Sequence, residues 1–291
     1  MKKRKFGDRK DAKRVRDVQS MNQIMIDLKP NRNLGEVYVN QKIDVTNLME
    51  YYENYKKKNP NDNITLFHMF VMAIAKTIYN RPLLNRFVAN RHVYEHNEII
   101  ISFVAKVEFI DSSEEVMVIV PIKESDTLKD VSNKIKNKVE EIRNKKNVKE
   151  GANSAIDILG KLPNILRVPI VGIFKWCDKK GILPAGLVKD NIYYSSIIVS
   201  NLGVLKVGGI YHNITDFGTC SGLVTMGEVK KEYVFDENGK KTEKYNCEFG
   251  ITIDERIADG FYLIKSVHLI EKILNDPKLL EERVNEKIKN D

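Results

Sequence analysis

The sequence predicts an α/β (α+β) two-layer sandwich, a large mixed β-sheet covered by helices. Three observations predict it. Short apolar runs with strand character alternate along the 291 residues with longer helical patterns. The order strand, helix, three strands, helix in the first half recurs in outline in the second. Hydrophobic residues at 42% and charged residues at 30% suit a soluble globular chain with a substantial core, and exclude a disordered one.

Residues 1–20 read as a basic arm. Arg9, Lys10, Lys13, Arg14 and Arg16 fall at spacings that a helix presents on one side. The arm would be a solvated helix or lie against a neighbouring subunit. A nucleic-acid role is disfavoured, because no aromatic platform or helix-turn-helix pattern accompanies the charge. Residues 21–291 then form a single domain. Gly35 to Val45 alternates with period two and predicts a strand, after which Asp44 or Thr46 caps a helix over Asn47 to Lys58. Asn59-Pro-Asn-Asp-Asn breaks the chain. Thr65 caps an apolar, buried helix from Leu66 to Tyr79, ended by Arg81-Pro82.

Arg86 to Tyr94, Ile99 to Val107 and Val116 to Ile122 predict three strands, the second central to a sheet. Ser125 or Asp126 caps an exposed, charged helix from Leu128 to Lys145. An apolar, Pro- and Gly-punctuated block at about 151–189, containing Trp176, interrupts the pattern. It reads as a helical hairpin packed on the body or a neighbour, as a lid over an apolar pocket, or as a membrane-surface contact. Strands at Ile197–Ser200 and Leu223–Val229 follow, then a hairpin from Val234 to Ile253 turning at Asp236-Glu237-Asn238-Gly239. A helix from Phe261 to Leu274 closes the domain.

No run is long and apolar enough for a transmembrane helix, and no apolar segment follows the basic N-terminus as in a secretory signal. Cys177, Cys220 and Cys247 are odd in number and far apart, which implies reduced thiols, a cytoplasmic location and no zinc site. The net charge is +8, with much of the excess in the arm.

The candidate site is the acidic turn Ile253-Asp254-Glu255-Arg256-Ile257-Ala258-Asp259-Gly260, at a strand-to-helix junction where chemistry is often displayed. With Lys42-Ile-Asp-Val-Thr-Asn-Leu, Arg81-Pro-Leu-Leu-Asn-Arg-Phe, Ile198-Val-Ser-Asn-Leu-Gly and Leu274-Asn-Asp-Pro it forms an ordered set. That set resembles the chloramphenicol acetyltransferase-like family, especially the catalytic domain of the dihydrolipoyl acyltransferases of 2-oxoacid dehydrogenase complexes. The resemblance runs from about Arg9 to Glu282. It implies acyl transfer from an acyl-coenzyme A-type thioester, in a homotrimer whose sites lie between subunits, with no metal and no covalently bound cofactor.

The family's turn reads Asp-His-Arg-x-x-Asp/Asn-Gly, its histidine being the base; the matching position here is Glu255. The resemblance implies Ser200 as oxyanion donor, Asn201 and Gly203 as substrate-binding neighbours, and Asp259 as a structural acid paired with Arg14 or Arg16. Arg256 is a further pairing residue. No lipoyl or subunit-binding domain is seen ahead of the match. Among the other candidates, His212 could supply a displaced base and Cys220 could hold an acyl group. His92 and His96 share a metal-like spacing without a third ligand, and His268 reads as structural. The alternative function is a catalytically lapsed trimer that binds a ligand or scaffolds a partner.

Overall fold

The computed structural model describes residues 5–106, 115–144, 158–189, 191–235 and 237–289. Among the described residues nine strands lie in two sheets: β1 Ala12–Arg14, β2 Glu36–Asp44, β3 Arg86–Ala89, β4 His92–His96, β5 Ile99–Lys106, β6 Glu115–Ile122, β7 Ile197–Asn201, β8 Gly222–Phe235 and β9 Lys241–Asp254. The helices are α1 Ser20–Leu28, α2 Thr46–Lys58, α3 Leu66–Asn80, α4 Leu128–Asn144, α5 Asn164–Lys180, α6 Ala185–Val188 and α7 Gly260–Asn275.

The large sheet runs β2-β9-β8-β7-β5-β6. Its central pairs, β5 with β7 and β7 with β8, are parallel; the rest are antiparallel. This is the mixed sheet that the sequence predicts. Alternation sets its two faces. Val118, Val120, Val199, Val224, Met226, Phe249 and Ile251 point to the helical layer and are buried. α3 is buried on nearly every side, which is why its sequence lacks a polar face. Its start is fixed by a capping box between Thr65 and His68.

Several expectations need correction. The basic arm is not a helix: Ala12–Arg14 pairs antiparallel with β4 in a small sheet ordered β1-β4-β3. Arg9 is buried there, paired with Asp11 and lying over the rings of Phe87 and Tyr94. Arg86 to Tyr94 is not one strand, because Asn90 and Arg91 both take positive φ and fold it into the β3–β4 hairpin. α4 buries Leu128, Val131 and Ile135 despite its charge, so it is amphipathic rather than simply exposed. Thr127 caps α4 in exchange with Asp130, while Asp126 is buried and accepts from Lys123. Leu223–Val229 and the later hairpin are one long β8–β9 hairpin with a bulge at Met226/Val229. The predicted helix end at Lys145, the start of the apolar block and Asp236 lie outside the described residues.

Two histidines are buried as neutral rings. His96 Nδ1 donates to the Asn85 carbonyl, so Nε2 accepts from the Thr219 hydroxyl, at 3.0 and 2.9 Å. His68 Nδ1 lies 2.8 Å from the Ser132 hydroxyl. Burial pushes both rings down to about 4. An unfolded histidine titrates near 6.5, about 2.5 units higher. As pH falls through this window the unfolded chain takes up protons that the folded chain refuses, so stability is lost. Each ring accounts for up to about 3 kcal/mol. The urea midpoint should therefore fall steadily from pH 6.5 to 4.5, and most of that slope should vanish in a His68→Gln, His96→Gln double variant. A flat midpoint across the window would contradict the assignment.

Candidate active site

Strand β9 ends at Asp254, and the turn Glu255–Ile257 carries the chain into α7. Asp254 is fully buried and Arg256 is 3% exposed. The guanidinium grips the carboxylate with both arms, Nε to Oδ1 and Nη2 to Oδ2, each at 2.8 Å. Its third nitrogen donates to the Lys29 carbonyl at 2.8 Å. Arg32 stands 3.9 Å from the same carboxylate and donates to the carbonyls of Thr215 and Gly218. The backbone must pass close to this cluster at Gly35, where a Cβ would lie 2.7 Å from Asp254 Oδ1. A charge-assisted, bidentate fork of this kind fixes the turn.

Glu255 sits between two of these locked residues, with its side chain 31% exposed and ion-paired to Lys29 Nζ, which is equally exposed. Lys29 is held there by its own carbonyl's bond to Arg256. Sequence reasoning missed Lys29 and Arg32. Neither lies in a motif, and Lys29 meets its partner across 226 residues of chain.

Asp259 is exposed and caps α7, accepting from the Tyr262 amide at 2.7 Å. Arg14 and Arg16 make their contacts elsewhere, in place of the expected pairing with Asp259. Arg14 lies 3.2 Å from His92 Nδ1, and Arg16 donates to the Phe6 carbonyl and approaches Asp8. The cause is β1, whose pairing with β4 draws the arm to that edge.

Ser200 is on β7, in register with Thr225 of β8, which is in register with Gly250 of β9. Its side chain faces away from the helical layer that Val199 enters. Asn201 accepts from the Gly203 amide at 3.1 Å, forming a tight turn after the strand. The loop at Gly208–Ile210 is pressed onto this same face. Gly209 and Gly250 permit the contact, since a Cβ on Gly250 would stand 2.1 Å from the Ile210 carbonyl oxygen. His212, in that loop, is exposed, with Nδ1 3.1 Å from the Asn213 carbonyl. Cys220 is fully buried, and burial pushes its thiol up, which suppresses the nucleophilic thiolate. His92 and His96 lie on one strand, about 13 Å apart at strand rise, with separate partners. His268 is exposed on α7.

Ser200 and Glu255 are well separated within the chain. Gly250 precedes Asp254 by four residues, or about 14 Å of strand, and β8 intervenes laterally between β7 and β9.

The catalytic-domain family of the 2-oxoacid dehydrogenases acyltransferases matches residues 10–158, slightly more than half the chain. The chain belongs to the 2-oxoacid dehydrogenase acyltransferase family. By sequence, no curated protein matches it. The fold is similar to a probable dihydrolipoamide acetyltransferase from Listeria monocytogenes, at TM-score 0.57 and 15% identity, over 89% of this chain and 93% of that one. It is similar also to the cubic core of a pyruvate dehydrogenase multienzyme complex, at TM-score 0.58 and 13% identity, over 92% and 94%. The dihydrolipoamide acetyltransferase of Azotobacter vinelandii gives TM-score 0.58 and 12% identity over the same shares. At these identities the structures show the fold. The acyltransferase family match ends well before Ser200 and the acidic turn, so the site residues rest on their own geometry.

Proposed function

We propose that this acyltransferase domain moves an acyl group from a coenzyme A-type thioester to an acceptor, at a site completed by a second copy of the chain in a homotrimer. The separation of Ser200 from Glu255 carries this reading. A base and an oxyanion donor must converge on one carbonyl, and here two subunits are required for that. Exposed Leu34, Tyr38, Val204, Leu205 and Tyr211 give the protomer apolar surface for a second copy to cover. A related fold builds a cubic core in a multienzyme complex, which fits such self-assembly.

In the proposed step, Glu255 takes the proton from the acceptor's thiol, hydroxyl or amine as that atom attacks the thioester carbonyl. The Ser200 hydroxyl of the facing subunit donates to the oxyanion. The C–S bond then breaks, the carbonyl reforms, and the departing thiolate takes the proton from Glu255. Coenzyme A enters here as co-substrate, and we place the reaction in the cytoplasm, in keeping with three unpaired cysteines. A free carboxylate binds a proton about 3 kcal/mol less tightly than an imidazole, so this chemistry starts with a handicap relative to histidine.

The Lys29–Glu255 pair favours a second reading, a lapsed enzyme that binds or scaffolds, because it engages the carboxylate in an ion pair. Thiol release from acetyl- and longer acyl-coenzyme A, with a panel of thiol, hydroxyl and amine acceptors, decides between them. Acyl transfer predicts a loss of about 10²-fold or more in kcat for both Glu255→Ala and Ser200→Ala. Turnover no higher than in Glu255→Ala, for every acceptor, establishes lapse.

A further inference from the structure

Helix α5 carries apolar residues on its outward side as well as on the side packed against the body. Arg167, Ile170, Phe174, Cys177 and Asp178 are half-buried or buried, recur along one side and face the protein, and Lys179 is half-buried beside Asp216. The opposite side carries Ile165, Val168, Pro169, Gly172, Ile173 and Trp176, at intervals of three and four, and all six are exposed. Ile165 is 82% exposed, Val168 64%, Ile173 63% and Trp176 57%. A continuous apolar stripe thus points into solvent.

The helix is not loosely attached. Asp178 is buried, accepts from the Tyr194 hydroxyl at 2.6 Å and the Gly218 amide at 2.9 Å, and its carbonyl receives Arg9. Lys175 and Lys179 approach Asp216 on the same loop. The polar groups near the C-terminal end clasp the body and hold the apolar side outward. Between Ile158 and Lys189 the charged residues are Lys161, Arg167, Lys175, Lys179, Lys180 and Lys189, against Asp178 alone among acids.

We propose that α5 seats the protein on an anionic phospholipid bilayer, lying in the interface with its stripe among the acyl chains and its lysines at the headgroups. The charge selects this occupant. The exposed Lys161, Lys180 and Lys189 make the surface around the stripe cationic, which an anionic headgroup layer complements. The stripe from Ile165 to Trp176 is about 17 Å long at helical rise, well short of a hydrocarbon core about 30 Å thick. Among the described residues no helix is long and apolar enough to cross a membrane, so insertion is in-plane. A tryptophan beside lysines is the pairing found at membrane interfaces.

Trp176 is the chain's only tryptophan, so its emission reports on this helix alone. Full-length protein should be titrated with vesicles of phosphatidylcholine containing about 30 mol% phosphatidylglycerol, and with phosphatidylcholine alone. The anionic vesicles should shift the emission to the blue and protect it from acrylamide. Binding should fall at least about tenfold at about 1 M salt or on neutral vesicles. Ile173→Ser should weaken binding about tenfold with its circular dichroism unchanged. Lys161→Glu with Lys180→Glu should do so through charge, leaving the stripe intact. Unchanged emission with anionic vesicles overturns the proposal, as does equal binding to neutral ones. Shielding of Trp176 that tracks protein concentration without lipid also overturns it, and assigns the stripe to a second copy.

Discussion

Glu255→His should raise the rate of acyl transfer by about 10²–10⁴-fold at neutral pH, with kcat changing far more than KM. The turn needs no rebuilding to receive the imidazole. Asp254 and Arg256 fix the backbone on either side through buried bonds that do not involve the Glu255 side chain. Only the pair to Lys29 is lost, and that pair is about a third exposed, so its contribution to stability is at most about 1 kcal/mol. An imidazole titrating near 6.5 holds a proton about 3 kcal/mol more tightly than a carboxylate near 4.3, while remaining largely neutral at pH 7.5. The ammonium of Lys29 next to it favours the neutral, basic form. Steady-state kinetics of thiol release from acetyl-coenzyme A measures the effect. A rate equal to that of Glu255→Ala would mean that this position no longer faces a reacting group, and the scaffold reading would follow.

The sequence made the framework of this site legible and left its energetics hidden. β2, α3, β5 and the β8–β9 hairpin could be read because each carries a strong local signal: period-two alternation, a threonine cap ahead of an apolar run, or an Asn-Gly turn. The β3–β4 hairpin was missed because its turn is Asn90-Arg91, without the glycine that usually marks two successive positive φ values. α1 was missed for a different reason. Met21, Ile24 and Leu28 keep a helical spacing, but they remain exposed beside a single buried residue, Ile26, so no apolar face marks the helix.

The acidic turn itself was found through its motif, whereas its partners were not. Lys29, Arg32 and Gly35 belong to a segment with no signature, and they matter because the sheet brings β2's approach alongside the end of β9. Register determines that proximity, and no local pattern in residues 29–35 encodes it. The outward stripe of α5 shows the converse. The apolar composition of the block was visible as sequence, but only the clasp at Asp178 reveals which side faces the body.

Asp254→Ala should cost about 3–5 kcal/mol of folding stability, the largest effect expected from a single substitution near the site. The carboxylate is fully buried and, among the described residues, is the one that ion-pairs with two arginines whose side chains are 2% and 4% exposed. Removing it leaves both guanidinium groups without that counter-charge. Arg256 would retain one bond, to the Lys29 carbonyl, and the Nε of Arg32, already without a hydrogen-bond partner, would lose its nearest counter-charge. The denaturant midpoint should drop accordingly, with the m-value preserved. A double variant, Asp254→Ala with Arg256→Met, separates charge burial from architecture. It removes the Arg256 cation and should recover a large part of the lost stability, because an apolar pair avoids the desolvation penalty while Arg32 keeps its carbonyl partners. It should not recover acyl transfer, since the Lys29 carbonyl and the turn that aims Glu255 would both be released. Stability restored without activity would identify the Asp254–Arg256 fork as a positioning device for Glu255. Activity restored along with stability would show that the turn holds its shape without it.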